Sequence, residues 1–340
     1  MKRLYIVYTG GTIGMRHTPD GYAPEPGLMA KLMRAMPEMA DPVMPEFDIH
    51  EYDPLLDSSN MRPRDWVAIG QDIVDHYDAY DGFVVLHGTD TMAYTASALP
   101  FLLQGLGKPV VVTGSQIPLS EVRSDARANL ISALLVAARC QIPEVCLCFG
   151  SKLLRGCRAT KVDAEGFEAF DSPHYPPLGA LGVDIRIDHE HVAPLPEGGG
   201  VALAPDALTA TVGALRLFPG MASELLAHVL EPPLQGLVLE TYGSGSGPTL
   251  DTRFLDTLAE ATGRGVVVVA ITQCLRGSIH IASYATGSAL SRAGVISGHD
   301  MTAEAALCKM CCLFSAGGSP ASVREMMGRN LRGELTAPVG

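Results

Sequence analysis

The first half of the chain alternates two patterns of apolar residues. Short unbroken runs at residues 4–8, 83–86, 110–113 and 145–149, rich in Val, Ile and Leu, predict strands. Residues 64–77, 91–103 and 124–139, where apolar side chains return every three or four positions, predict helices. A run such as Val110-Val111-Val112 has no polar face. A strand with one side in water would alternate, so these strands are covered on both sides, and strands taking turns with helices predict a parallel sheet with helices on both faces. Residues 188–208 break the pattern with Pro194, Pro196, Pro205 and the triplet Gly198-Gly199-Gly200, the composition of a linker. Beyond it, strand-like residues 212–217, 234–239 and 266–271 enclose helical residues 221–230 and 252–261, which predicts a second, smaller α/β domain. The expected division is an N-terminal domain at 1–187 that carries the candidate chemistry, a linker at 188–208 and a C-terminal domain at 209–340.

Composition supports this reading and narrows the partners. At 340 residues, 47% hydrophobic and 18% charged, the chain suits two packed domains at about 100 to 200 residues each and does not suit disorder. With 37 acidic against 25 basic residues the net charge is −12, which repels nucleic-acid backbones and anionic membranes. No apolar run approaches the ~20 residues of a membrane span. The opening residues Met1-Lys2-Arg3-Leu4 lead straight into a strand pattern without a secretory apolar segment, so a cytoplasmic location is expected. Most of the eight cysteines lie in apolar segments, as reduced thiols packed like small hydrophobes do. Cys308, Cys311 and Cys312 have a metal-like spacing, but no second Cys/His pair stands near them and residues 302–314 read as a helix, so no metal is expected.

Candidate chemistry gathers where the predicted strands end, since open parallel sheets bind ligands beyond their carboxyl ends. The first strand runs into Thr9-Gly10-Gly11-Thr12-Ile13-Gly14, a later one into His87-Gly88-Thr89-Asp90-Thr91, and the next into Gly114-Ser115-Gln116. The first of these has the order GGxxG rather than GxGxxG, and residues 15–26, with Pro19, Gly21, Pro24 and Pro26, read as a mobile loop instead of a helix. The glycines of Gly243-Ser244-Gly245-Ser246-Gly247 meet Pro248 where a dinucleotide fingerprint needs a third glycine, so nicotinamide binding is not indicated. Asp90 is either a helix cap or a carboxylate that holds a lysine or a substrate ammonium. Lys161, in the polar stretch Arg158-Ala159-Thr160-Lys161, is either solvated or that partner. Asp57-Ser58-Ser59-Asn60 is a cap-and-turn sequence that would equally grip the carboxylate and amino group of an amino acid.

Taken together these stretches resemble the bacterial cytosolic type I L-asparaginases. The resemblance is carried by residues 8–15, 57–59, 81–94 and 112–118, and it continues through Arg158 to Lys161, Thr272-Gln273-Cys274, Tyr284-Ala285-Thr286-Gly287 and residues 330–335. It implies an α/β fold with a larger N-terminal parallel-sheet (flavodoxin-like) domain plus a smaller C-terminal α/β domain. It also implies hydrolysis of L-asparagine to L-aspartate and ammonia through a threonine acyl-enzyme, with no metal or organic cofactor. Thr12 matches the family's nucleophile and Tyr22 the tyrosine that orients it. Thr89, Asp90 and Lys161 match a second triad, and Asp57, Ser58 and Ser59, with Thr89 and Asp90, match the segments that bind the substrate. A glutaminase-leaning amidohydrolase and a catalytically idle asparagine or aspartate sensor are the alternatives. The sensor would have no use for a nucleophile or a lysine-backed threonine. The resemblance further implies a homotetramer built as a dimer of dimers. In some members a second asparagine site uses an arginine and a cysteine that fall at Glu240 and Cys274 here, and Ser246 stands where the family often has Asn. The reversed charge at 240 is expected to remove that site.

Overall fold

Every residue of the first strand after Arg3 is buried, because both faces of the strand are covered by helices as its unbroken apolar run requires. The computed structural model describes residues 2–19, 21–198, 200–280 and 285–336, and the chain divides into two compact units, Met1–Asp206 and Ala207–Gly340. In chain order the first unit contains β1 (Arg3–Gly10), β2 (Met15–Thr18), β3 (Gly21–Pro24), α1 (Leu28–Ala35), β4 (Glu46–Leu56), α2 (Pro63–Asp75), β5 (Gly82–Leu86), α3 (Met92–Leu102), β6 (Leu103–Gln104), β7 (Val110–Thr113), α4 (Ala126–Arg139) and β8 (Val145–Phe149). It continues with β9 (Lys152–Arg155), β10 (Thr160–Lys161), β11 (Phe170–Asp171), β12 (Gly179–Leu181), β13 (Ile185–Ile187) and β14 (Ala202–Leu203).

The main sheet has the order β13-β12-β9-β8-β7-β5-β1-β4. Its five strands from β4 to β8 are parallel, while β9, β12 and β13 add an antiparallel extension. That extension departs from the all-parallel expectation for a simple reason. Only Gly150 and Ser151 separate β8 from β9, and Gly150 has φ +57, a tight turn that can only return the chain antiparallel. Alternate residues of β1 enter opposite cores: Leu4, Ile6 and Tyr8 pack with Met29 and Met33 of α1 and Leu130 and Leu134 of α4. Tyr5 and Val7 pack with Ile69 and Ile73 of α2 and with Ala96 and Leu99 of α3.

Two elements were not read from the sequence, and one was read differently. β4 is an edge strand with both faces partly wet, so its charges hide any apolar period. Residues 15–26, expected as a mobile loop, instead hold the antiparallel hairpin of β2 and β3, in which His17 pairs Tyr22. The hairpin has no apolar face, which is why no period marks it. Helix α1 was likewise passed over, with only Met29 and Met33 buried. Within residues 188–208, Arg155 donates to His191 O at 2.7 Å, Glu144 accepts from Ala193 N at 2.5 Å, and β14 pairs with β6.

The second unit holds β15 (Val212–Arg216), α5 (Ser223–Val229), β16 (Gly236–Thr241), α6 (Thr252–Gly263), β17 (Val267–Thr272), α7 (Ala285–Arg292), β18 (Ile296–Ser297), α8 (Ala303–Ser315) and α9 (Pro320–Met327). Its strands form one parallel sheet in sequence order. Leu226, Phe254 and Leu258 cover one face and Met310, Phe314 and Val323 the other. Cys308, Cys311 and Cys312 are buried along α8 as side chains of this core. On the same helix Lys309, fully buried, meets fully buried Glu334 at 2.6 Å. Glu334 also accepts the backbone N–H groups of Leu331 and Arg332, so the pair pins residues 330–335 to α8. Tyr284, part of the resemblance, lies outside the described residues.

Candidate active site

Strands β4 and β5 flank β1 on opposite sides, so the carboxyl ends of β1 and β5 border the point where the strand order reverses. Backbone contact between glycines closes that point. Gly11 has φ +88, and a Cβ there would stand 2.4 Å from Gly88 Cα; Gly10 has φ +126, and a Cβ there would stand 2.2 Å from Leu56 O. Only glycine suits either place, through its conformation and its lack of a side chain. Gly88 in turn has no room for a Cβ, which would stand 2.5 Å from Ser58 Oγ. The three motifs led by Gly11, Gly88 and Ser58 therefore meet at one place. Thr9 Oγ1 donates to Leu86 O at 3.0 Å and Thr91 Oγ1 to Ser58 O at 2.7 Å, so the flanking threonines fasten the loops. The third motif reaches the site because β4 spends six residues, Glu51 to Leu56, opposite three of β1, Tyr8 to Gly10. This bulge includes Pro54, an edge-strand residue with no N–H to donate.

Thr12 follows Gly11 in a short 3-10 turn, Thr12–Gly14, and is partly exposed. Thr89 follows Gly88 and is nearly buried. Lys161 Nζ donates to Thr89 Oγ1 at 2.9 Å and to Asp90 Oδ1 at 2.8 Å. Thr89 Oγ1 donates to Gln116 Oε1 at 3.2 Å. Lys161 is carried there by β10, whose partner β11 sets Lys161 opposite Phe170. The lysine side chain is 20% exposed and that of Asp90 68%, so the carboxylate keeps a face open to solvent while its other side holds the ammonium. Asp57 caps the turn Ser58–Asn60, accepting Ser59 N at 3.0 Å. Tyr22 is half exposed on β3, which lies beside the Thr12–Gly14 turn. Its ring meets His17 edge-on at 5.5 Å.

Two residues of this neighbourhood were not singled out from the sequence. Gln116 accepts from Thr89, donates through Nε2 to Ala164 O and Gly166 O at 3.1 Å, and has its own N–H held by Asp125 at 3.0 Å. Its position directly beyond β7 was the available signal. His87 is fully buried: Nδ1 lies 2.7 Å from Gly88 O and Nε2 2.8 Å from Thr95 Oγ1. Because a carbonyl only accepts, Nδ1 carries the proton and Nε2 accepts from the hydroxyl. Burial lowers the imidazole pKa to about 4, so His87 stays neutral and fixes the direction of the Gly88 carbonyl. In a sequence it looks like any histidine before a glycine.

The mixed α/β fold, with a large parallel-dominated sheet and a separate smaller C-terminal unit, agrees with the comparisons. Residues 3–193 match the family model described as Asparaginase, N-terminal, and residues 211–327 match the Glutaminase/Asparaginase C-terminal domain. The chain belongs to the asparaginase family. It is 50% identical over 335 residues to L-asparaginase 1 of Escherichia coli K12, covering 98% of each. Among solved structures, L-asparaginase I of Vibrio cholerae superposes with a TM-score of 0.91 at 47% identity, covering 98% of this chain and 99% of that one. The thermostable L-asparaginase of Thermococcus kodakarensis gives a TM-score of 0.88 at 35% identity, again over 98% and 99%.

Proposed function

We propose that this chain hydrolyses the side-chain amide of L-asparagine, giving L-aspartate and ammonia through an ester on Thr12. The observation that carries the reading is the Asp90–Lys161–Thr89 chain of hydrogen bonds, set one residue from the contact between Gly11 and Gly88. A threonine hydroxyl is a weak nucleophile until its proton has somewhere to go. In our reading Thr12 Oγ attacks the amide carbon and its proton passes to the departing nitrogen, which leaves as ammonia. Water then attacks the ester carbon, giving up a proton as Thr12 regains its own. Lys161 holds Thr89 polarised so that the Thr89 hydroxyl can relay protons and orient the water, and Tyr22 orients Thr12 from the hairpin. Backbone N–H groups of the two glycine loops face the oxyanion. Asp57, Ser58, Ser59 and Asp90 hold the α-carboxylate and ammonium, with Asp90 serving both the substrate and Lys161.

No described helix is long and apolar enough to cross a membrane. We place the enzyme in the cytoplasm as a homotetramer whose partner is the small-molecule substrate. The test is ammonia release from asparagine, from glutamine and without substrate. Asparagine is expected to be preferred, since one extra methylene is worth about 1 to 3 kcal/mol in a fitted pocket and also displaces the amide from Thr12. Comparable kcat/KM for both amides would overturn the substrate assignment, and no release from either would overturn the activity.

A further inference from the structure

The hairpin of β2 and β3 has to bring Tyr22 to the threonine site, and the residues that hold its two ends are outside the set named above. The first end is Gly14. Tyr8 lies directly beneath it: a Cβ on Gly14 would stand 2.1 Å from the Tyr8 hydroxyl. Tyr8 is fully buried, and its hydroxyl has no hydrogen-bond partner among the described residues. A buried hydroxyl left without a partner is destabilising. Phenylalanine would fill the same space without that cost. The other end is Gly27, the N-cap of α1, which has φ +77 and no side chain to cap with. Glu51 does the capping, accepting Gly27 N at 2.6 Å and Ala30 N at 2.9 Å. These two anchors are neighbours, for Tyr8 stands opposite Glu51 in the register of β1 with β4. Burial raises the Tyr8 pKa and the Glu51 charge adds to the rise, which places the carboxylate within electrostatic reach of the phenol.

We propose that Tyr8 and Glu51 are positioning residues for the hairpin, and that the Tyr8 hydroxyl donates to the Glu51 carboxylate when the hairpin closes over substrate, so that both ends are locked by one bond. The proposal rests on reading the hairpin as the lid that carries Tyr22. A carboxylate offers about four lone-pair directions. Two of them are occupied by backbone N–H groups here, and there is capacity for the phenol.

Tyr8→Phe should leave the melting temperature of the free enzyme unchanged or raise it, since the hydroxyl it removes has no partner. KM for asparagine and Kd for aspartate should both rise about tenfold while kcat stays within about threefold, the loss of a bond of about 1.4 kcal/mol made only on closure. Glu51→Gln should raise both constants similarly, and adding Tyr8→Phe to it should change them by less than about twofold, because the shared bond is already gone. Unchanged KM and aspartate affinity in Tyr8→Phe, or effects of the two substitutions that simply multiply, would overturn the proposal. Hydrogen exchange on the wild type separates it from the reading beneath it. Aspartate should slow exchange across residues 15–26. If it does not, the lid reading fails together with this one, whereas slowing that persists equally in Tyr8→Phe refutes only the role of Tyr8.

Discussion

Lys161→Met is the most informative single change, because its effects on rate and on stability should separate cleanly. Methionine keeps most of the length and apolar stem of lysine and removes both donated bonds, at 2.9 Å to Thr89 and 2.8 Å to Asp90. The cost in stability should be small. Asp90 is 68% exposed, so losing its partner leaves it hydrated, and pairs of this kind are worth about 0 to 1 kcal/mol. For a unit of this size 1 kcal/mol moves Tm by roughly 2 to 4 °C. The cost in rate should be large, since a positioned acid–base group contributes about 10² to 10⁴. Ammonia release at saturating asparagine, read beside a thermal melt, should therefore show kcat lowered by at least about a hundredfold with Tm shifted by at most roughly 4 °C. Thr89→Ala should match it, and the double variant should lose little more, as members of one relay are not additive. An enzyme with Lys161→Met that retained near wild-type kcat would show a lysine that does no more than pair with Asp90, and the relay would have to be abandoned.

Thr12→Ala should lower kcat by several orders of magnitude with an unchanged melt, and retention of more than about a tenth of kcat would refute the nucleophile assignment. His87 binds a proton near its ordinary 6.5 when unfolded but only near about 4 when folded. Its contribution is thus complete above pH 6.5 and eroded as pH falls toward 4, by about 3 kcal/mol in all. Denaturant unfolding at pH 7.5 and 4.5 should show a larger loss for the wild type than for His87→Gln, and equal losses would contradict this. Lys309→Met leaves Glu334 charged in the core with only its backbone donors, so about 3 kcal/mol and a Tm drop on the order of 10 °C are expected. A melt within 2 °C of wild type would show that the ion pair has no net role.

What could be read from the sequence follows from which forces leave a periodic trace. Val110-Val111-Val112 can only be a strand covered on both sides, and it is one. The place where the loops of Gly11 and Gly88 meet was legible because ligands of parallel sheets gather at strand ends, and those ends carry the two glycines. Edge strand β4 and the hairpin left no trace, since neither buries a continuous face. The antiparallel turn at Gly150 depends on two residues that resemble any loop. Gln116 and His87 act through several hydrogen bonds each, to partners brought near only by the tertiary fold. The Lys309–Glu334 pair joins residues 25 positions apart in segments whose own patterns promise, respectively, an apolar helix and a polar tail.

The end of the second sheet raises the question of regulation. The resemblance to the type I enzymes implies that Glu240 falls where some of them use an arginine to hold the carboxylate of a regulatory asparagine. Its carboxylate is already engaged, lying 3.4 Å from Arg216, its register partner on β15. The backbone around it is also occupied: Gln273 Nε2 donates to Glu240 O at 2.8 Å and to Leu217 O at 2.7 Å. Cys274, which the resemblance implies as the second effector residue, is exposed with its N–H turned to Thr272 Oγ1 at 3.0 Å. Ser246 accepts from Thr286 at 3.2 Å. An incoming carboxylate would thus meet a like charge where a bidentate arginine is needed, and Arg216, 63% exposed and screened by water, is a weaker substitute already shared with Glu240. An effector shifts an equilibrium only by its difference in affinity between two states. With the anchoring charge reversed that difference is small, and the rate should depend hyperbolically on asparagine concentration. A sigmoidal curve with a Hill coefficient well above one would refute this, and if Arg216→Ala then made it hyperbolic, the effector would have found its cation one strand away. Restoring the arginine with Glu240→Arg should produce sigmoidal kinetics only if the remaining contacts at Cys274 and Ser246 still form a site, so a hyperbolic response in that variant would place the loss of regulation in those contacts as well as in the charge.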